Sequence, residues 1–111
     1  MKFEVEVVNI KNNRAECIYC GRGTALGNPF KMQNEADRDR VCGLYIDWFA
    51  AKIKKKDPEV LELLKQIYGK GLRDGIVRIG CYCAPKQCHL DTVRNWLMWQ
   101  HSRTPDIWQE E

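Results

Sequence analysis

Residues 75–91 read GIVRIGCYCAPKQCHLD, and the change of period within this stretch decides the fold. Gly75 opens a short apolar run, Ile76, Val77, Ile79 and Cys81, with the pattern of a buried strand. From His89 onward, Leu90, Val93, Trp96 and Leu97 recur at three- and four-residue spacing, the pattern of a helix with one apolar face. A strand that passes through a Pro-bearing turn into a helix is a unit of α/β architecture. In such folds ligands lie outside the carboxyl ends of the strands, which is where the cysteines and the histidine of this stretch stand.

Working outward, Phe3, Val5 and Val7 alternate with Glu4 and Glu6 across residues 2–10, the period-two sign of a strand with one buried face. After the polar KNNR turn, Ala15, Cys17, Ile18, Tyr19 and Cys20 form a second short run, so an N-terminal hairpin is expected. GRGTALGNPF at 21–30 places three glycines and a proline in ten residues, a loop whose backbone can approach a ligand closely. Val41, Leu44, Tyr45, Trp48, Phe49 and Ile53 predict an amphipathic helix over residues 37–55, with Trp48 as a core anchor. Asp57 and Pro58 form an N-cap and first-turn pair for another helix, with Val60, Leu63, Leu64 and Ile67 on its apolar stripe and an end near Gly69. The expected fold is one α/β domain over residues 1–103, a small sheet with an N-terminal hairpin and packed helices. A tail containing Trp108 follows over residues 104–111.

Composition narrows the class. Hydrophobic residues at 44% and charged residues at 30% of 111 fit a globular domain, and no apolar run approaches the roughly 20 residues that span a bilayer. No membrane partner is expected. The formal charge of +3 falls short of the concentrated basic face of a duplex-DNA binder. The KIKKK cluster at 52–56 reads as a solvated helix end, leaving nucleic acid a weakly supported partner. The opening MKFEVEVVNIKNN lacks the pattern of a secretion signal, which predicts a cytoplasmic location. There, six cysteines are expected as thiols, metal ligands or catalytic groups rather than as a disulfide framework.

Three chemistries fit the strand-turn-helix motif. In the first, the amino end of the last helix and His89 meet the glycine-rich loop to form an anion pocket, with Arg22 offering the planar donor pair that suits phosphate or carboxylate. In the second, Cys83 or Cys88 acts as a thiolate favoured by the helix end, with His89 as base or acid. In the third, the Cys-x-x-Cys pair Cys17 and Cys20 binds zinc together with Cys81, Cys83, Cys88 or His89. A strand would turn Cys17 and Cys20 to opposite faces, so zinc requires a local turn there. Each group also has an ordinary reading. Buried cysteines are small core residues, notably Cys17 and Cys42; Arg22 is a solvated arginine; His101 is a surface or capping residue.

VVNI at 7–10, the GRGTALGNPF loop, Arg38 followed seven residues later by Tyr45, and IGCYCAPKQCH at 79–89 together resemble the family known as domain of unknown function 4326, found in bacteria and bacteriophages. The resemblance runs over most of the chain. It implies that Gly21, Arg22, Gly27, Asn28, Pro29, Arg38, Cys81, Cys83, Pro85, Cys88 and His89 occupy the family's signature positions, and it implies no established activity. Cys17 and Cys20 stand where relatives are expected to carry ordinary strand residues, which counts against zinc. The closing Cys-to-Cys-His segment is also similar to that of domain of unknown function 488.

The functional expectation is a pocket for a phosphate-bearing or nucleotide-like anion, built from Arg22, Asn28 and Arg38 with Cys83, Cys88 and His89, and open to thiol chemistry. The alternative is a non-enzymatic domain, with or without zinc, that binds a phage or host protein through some of its four Trp residues.

Overall fold

The strand read from the opening stretch takes the centre of the sheet. In the computed structural model, which describes residues 2–11, 17–82 and 86–103, β1 spans Glu4–Asn9, β2 Ile18–Tyr19 and β3 Ile76–Cys81. The order is β1-β3-β2, and both outer strands run parallel to β3. The single α/β domain expected from the sequence is therefore present, but its hairpin is not. β1 and β2 flank β3 instead of pairing with each other. The physical reason lies in burial: the central strand of a parallel sheet is enclosed on both edges and calls for the most continuous apolar run, which β3 supplies.

Registered pairs share a face. Val5 lies opposite Val77, and Val7 and Ile18 both lie opposite Ile79, so these side chains form one apolar surface. The other face carries the Glu6 and Arg78 ion pair, 3.2 Å apart. Three helices cover the apolar surface: α1 (Arg38–Lys54), α2 (Pro58–Asp74) and α3 (Leu90–Arg103). Tyr45 and Phe49 of α1, Leu64 and Ile67 of α2, and Val93 and Leu97 of α3 join Val5, Val77 and Ile79 in one core. Trp48 is only partly buried, packed on the rim of that core with its ring 5.1 Å from Tyr45. Leu44 points outward.

The start of α2 follows its sequence signals. Asp57 accepts a hydrogen bond from the Val60 N–H at 3.1 Å, with Pro58 in the first turn. Its end does not follow them: the helix passes the expected stop near Gly69 and continues to Asp74. Gly75 makes the stop, at φ +83°, where an L side chain would be strained, and its N–H reaches the Gly71 carbonyl at 2.8 Å. His101 also departs from expectation. Four residues after the buried Leu97, it turns inward, stacks on Phe3 at 4.4 Å, and its Nδ1 shares a hydrogen bond with the Tyr68 hydroxyl at 3.0 Å. The tail at 104–111, with Trp108, lies outside the described residues. Among the described residues no helix is long and apolar enough to cross a membrane.

Candidate functional site

Parallel strands place their carboxyl ends on one edge of the sheet, and the site grows from two of them. β2 leads into Cys20 and the loop at 21–30, and β3 leads toward the start of α3. Between them lies a cleft of about 280 Å³, lined by Gly21, Arg22 and Asn28 from the loop, Arg38 and Cys42 from α1, and Cys81, Cys88 and His89 from β3 and the approach to α3. Tyr19, Phe30 and Tyr82 add aromatic walls. The Tyr19 and Tyr82 rings meet edge to face with centroids 6.1 Å apart.

The glycine-rich loop is anchored to the core. Leu26 is fully buried, and Tyr45 donates its hydroxyl hydrogen to the Leu26 carbonyl at 2.7 Å. Within the loop the Thr24 hydroxyl bonds the Gly21 carbonyl at 2.8 Å, and the Gly27 N–H bonds the Thr24 carbonyl at 3.0 Å. This winding brings Gly27 so close to Gly21 that a Cβ on Gly27 would stand 2.5 Å from the Gly21 carbonyl oxygen. Gly27 thus shapes the loop from within, and Pro29 is exposed; neither lines the cleft. Replacing Tyr45 with Phe leaves the Leu26 carbonyl without its donor and lowers stability by about 1–3 kcal/mol. Urea unfolding measures this, and an unchanged midpoint would show that the hydroxyl does not anchor the loop.

Asn28 uses its side-chain oxygen to accept the Phe30 N–H at 2.9 Å. Its amide NH2 end is left as the donor available to the cleft. Arg22 is exposed, and its guanidinium makes no hydrogen bond or ion pair with a described residue. Arg38 differs. Its Nε and Nη2 form a two-point contact with Glu35 at 2.9 and 2.8 Å, and its Nη1 donates to the Gln87 carbonyl at 2.7 Å. Arg38 therefore fastens α1 to the approach to α3, with Glu35 held by Arg38 and Lys86 at a pKa of about 2.

His89 is buried, and its Nε2 lies 3.0 Å from the Cys20 carbonyl oxygen. A carbonyl only accepts, so Nε2 carries the hydrogen and Nδ1 keeps a lone pair. His89 lines the cleft, and its Nδ1 bonds none of the described residues. Burial lowers the His89 pKa below its ordinary 6.5, and the positive charge of Arg22 adds to the effect. The folded protein thus holds this ring neutral, while the unfolded chain protonates it at its ordinary value. Protons then favour the unfolded state, so stability falls as pH drops from about 6.5 toward the lower folded-state value. Thermal unfolding at about pH 8 and about pH 5.5 should show that loss, and His89→Gln should remove its His89 share. An equal acid loss in the variant would assign it to other groups.

Cys81 and Cys88 are buried with their sulfurs 3.2 Å apart. The Leu90 N–H donates to the Cys88 sulfur at 3.3 Å, and the Asp91 carboxylate returns to accept the Cys88 N–H at 3.2 Å. Cys88 thereby caps α3 in the reciprocal manner of a capping box, with a thiol in place of a hydroxyl. The Leu90 donor favours a thiolate, as expected at a helix start, but the hydrogen bond with Cys81 and burial outweigh it and push the Cys88 pKa up. Cys20 is pushed up to about 12, chiefly by burial. Cys83 and Pro85 lie outside the described residues.

The candidate zinc ligands are spread around the same strand ends. Cys17 is half-buried with its sulfur against the backbone of Gly80, and Cys20 lies deep beneath the loop. Among the described residues no group of three or more His, Cys, Asp or Glu side chains is arranged to hold a metal ion.

Sequence reasoning passed over Tyr19, Phe30 and Tyr82, although each adjoins a residue it did single out. It also passed over Glu35, whose place three residues before Arg38 is the spacing of a helical ion pair.

A family model described as Domain of unknown function (DUF4326) matches residues 7–99. No curated protein and no solved structure matches the chain.

Proposed function

Because the chain belongs to the DUF4326 family, whose description assigns no activity, we propose its role from the cleft: it binds a small phosphate-bearing or otherwise anionic ligand of nucleotide-like character. The observation that carries this reading is Arg22, an arginine whose guanidinium has no partner among the described residues, at a cleft that also holds His89 and the Asn28 amide. Arg22 supplies the positive charge and a planar donor pair for a phosphate or carboxylate. The Asn28 amide orients the anion, and neutral His89 accepts a hydroxyl or N–H of the ligand at Nδ1.

The aromatic walls favour a ligand with a flat ring, since bases stack on tyrosine and phenylalanine at about 1–3 kcal/mol each. At about 280 Å³ the cleft is slightly smaller than usual small-molecule sites of about 300–1,000 Å³, which favours one small ligand over a polymer. Arg38 positions the far wall through Glu35 and Gln87 instead of holding the anion. Thiol chemistry in this cleft would start from a cysteine other than Cys88 in its raised state. The cytoplasm, where nucleotides and reduced thiols coexist, is the setting this reading requires.

Calorimetric titration with nucleoside mono- and diphosphates, using inorganic phosphate and uncharged nucleosides as references, tests the proposal. Saturable binding of a phosphorylated compound, weakening as salt rises, is the expected result. Equal binding of the uncharged nucleoside, or no saturation into the millimolar range, would overturn it.

A further inference from the structure

The two sulfurs at the floor of the cleft support an inference that is independent of any anion above them. Cys81 ends the central strand and Cys88 caps α3, so both are held by regular structure, and their sulfurs stand 3.2 Å apart. A disulfide requires about 2.0 Å, so the remaining gap is little more than 1 Å. Both thiols are almost wholly buried, at 2% and 3% exposure, and both line the cleft, so a reagent must be small enough to enter there. We propose that Cys81 and Cys88 are an oxidisable dithiol, a modification site at which hydrogen peroxide produces a reversible disulfide across the cleft floor.

The chemistry balances. Either sulfur can donate in their contact, and the proposal takes Cys81 as the attacking sulfur and Cys88, held at the helix cap by the Leu90 N–H, as the resolving one. Cys81 loses its proton and attacks one peroxide oxygen. The O–O bond breaks, the departing hydroxide takes up a proton as water, and Cys81 becomes a sulfenic acid. The Cys88 sulfur then attacks the Cys81 sulfur, an S–S bond forms, and the sulfenic hydroxyl leaves with the Cys88 proton as a second water. The protein loses two electrons and two hydrogens, and the peroxide is reduced to two waters. A dithiol reductant reverses the change by exchange.

The disulfide also alters the site. It draws the β3 end toward the α3 cap beside Gln87, whose carbonyl holds Arg38. It also converts the sulfur that accepts the Leu90 N–H into a poorer acceptor.

The test uses the full chain, fully reduced and then treated with stoichiometric hydrogen peroxide. A whole-protein mass lower by about 2 Da, restored by dithiothreitol, is expected. Peptide mapping after alkylation should find the cross-link between Cys81 and Cys88. Cys88→Ser retains a residue favoured as a helix cap, and it should eliminate the cross-link and leave Cys81 as a trappable sulfenic acid. A cross-link involving Cys83 or Cys20 instead, or oxygen addition without any cross-link, would overturn the assignment. The wild-type peptide map decides by itself if the variant fails to fold.

Discussion

On the proposed reading, Arg22→Ala should lower affinity for a phosphorylated ligand by about 10- to 150-fold, because it removes one or more charge-assisted hydrogen bonds worth about 1.5–3 kcal/mol. The urea midpoint stays where it was, since the guanidinium is exposed and bonds no described residue. Arg22→Lys recovers part of the loss: an ammonium keeps the charge and lacks the planar two-point donor. Calorimetry on the three proteins separates these effects. An Arg22→Ala variant that binds as tightly as the parent would assign the anion to another group and remove the central residue of the proposed site. Arg38→Ala should behave differently, altering unfolding as well as binding, because that side chain joins Glu35 to Gln87.

Leu26→Ala is the substitution expected to do most damage to the fold. Leu26 is fully buried although it belongs to a segment whose composition reads as an open loop. Removing its side chain leaves a cavity under the loop and should cost about 2–5 kcal/mol, a large share of the roughly 5–15 kcal/mol that stabilises a typical domain. Chemical denaturation followed by tryptophan fluorescence measures it. A loss below about 1 kcal/mol would mean that the loop folds over the core without depending on it. The anchoring also bears on affinity, since a loop already held in shape does not lose its freedom when a ligand arrives.

Much of the fold was legible because its signals are local. Alternation over Phe3, Val5 and Val7, helical spacing in Val41, Tyr45 and Phe49, and the Asp57 and Pro58 cap each depend on a few neighbouring residues. Strand pairing is not local. Ile18 and Tyr19 looked like the second arm of a hairpin, yet their partners are Ile79 and Gly80. The end of α2 was misread because two glycines lie inside the helix. Gly71 is there for packing: a Cβ at that position would stand 2.6 Å from the Phe3 ring.

Several residues singled out in the sequence come together in space, while their contacts could not be read there. Arg22, Asn28, Arg38, Cys88 and His89 line one cleft, as strand-end topology led one to expect. That Arg38 contacts Glu35, and that Cys88 stands against Cys81, depends on how a strand end and a helix cap approach one another. Spacing along the chain does not encode that approach.

The β1-β3-β2 order also shapes how the chain is made. Glu6 and Arg78 sit side by side in the finished sheet, yet they are 72 positions apart. At about 5–20 residues per second, a nascent β1 waits roughly 4–14 s after leaving the ribosome before β3 follows it. Throughout that interval it is an extended segment with both edges unsatisfied, the kind that associates with other chains. Glu4 and Glu6, which contribute nothing to the core, flank Val5 and give the strand charge during the wait. In that setting, the alternation that marks β1 as a strand also protects the newborn chain from its neighbours.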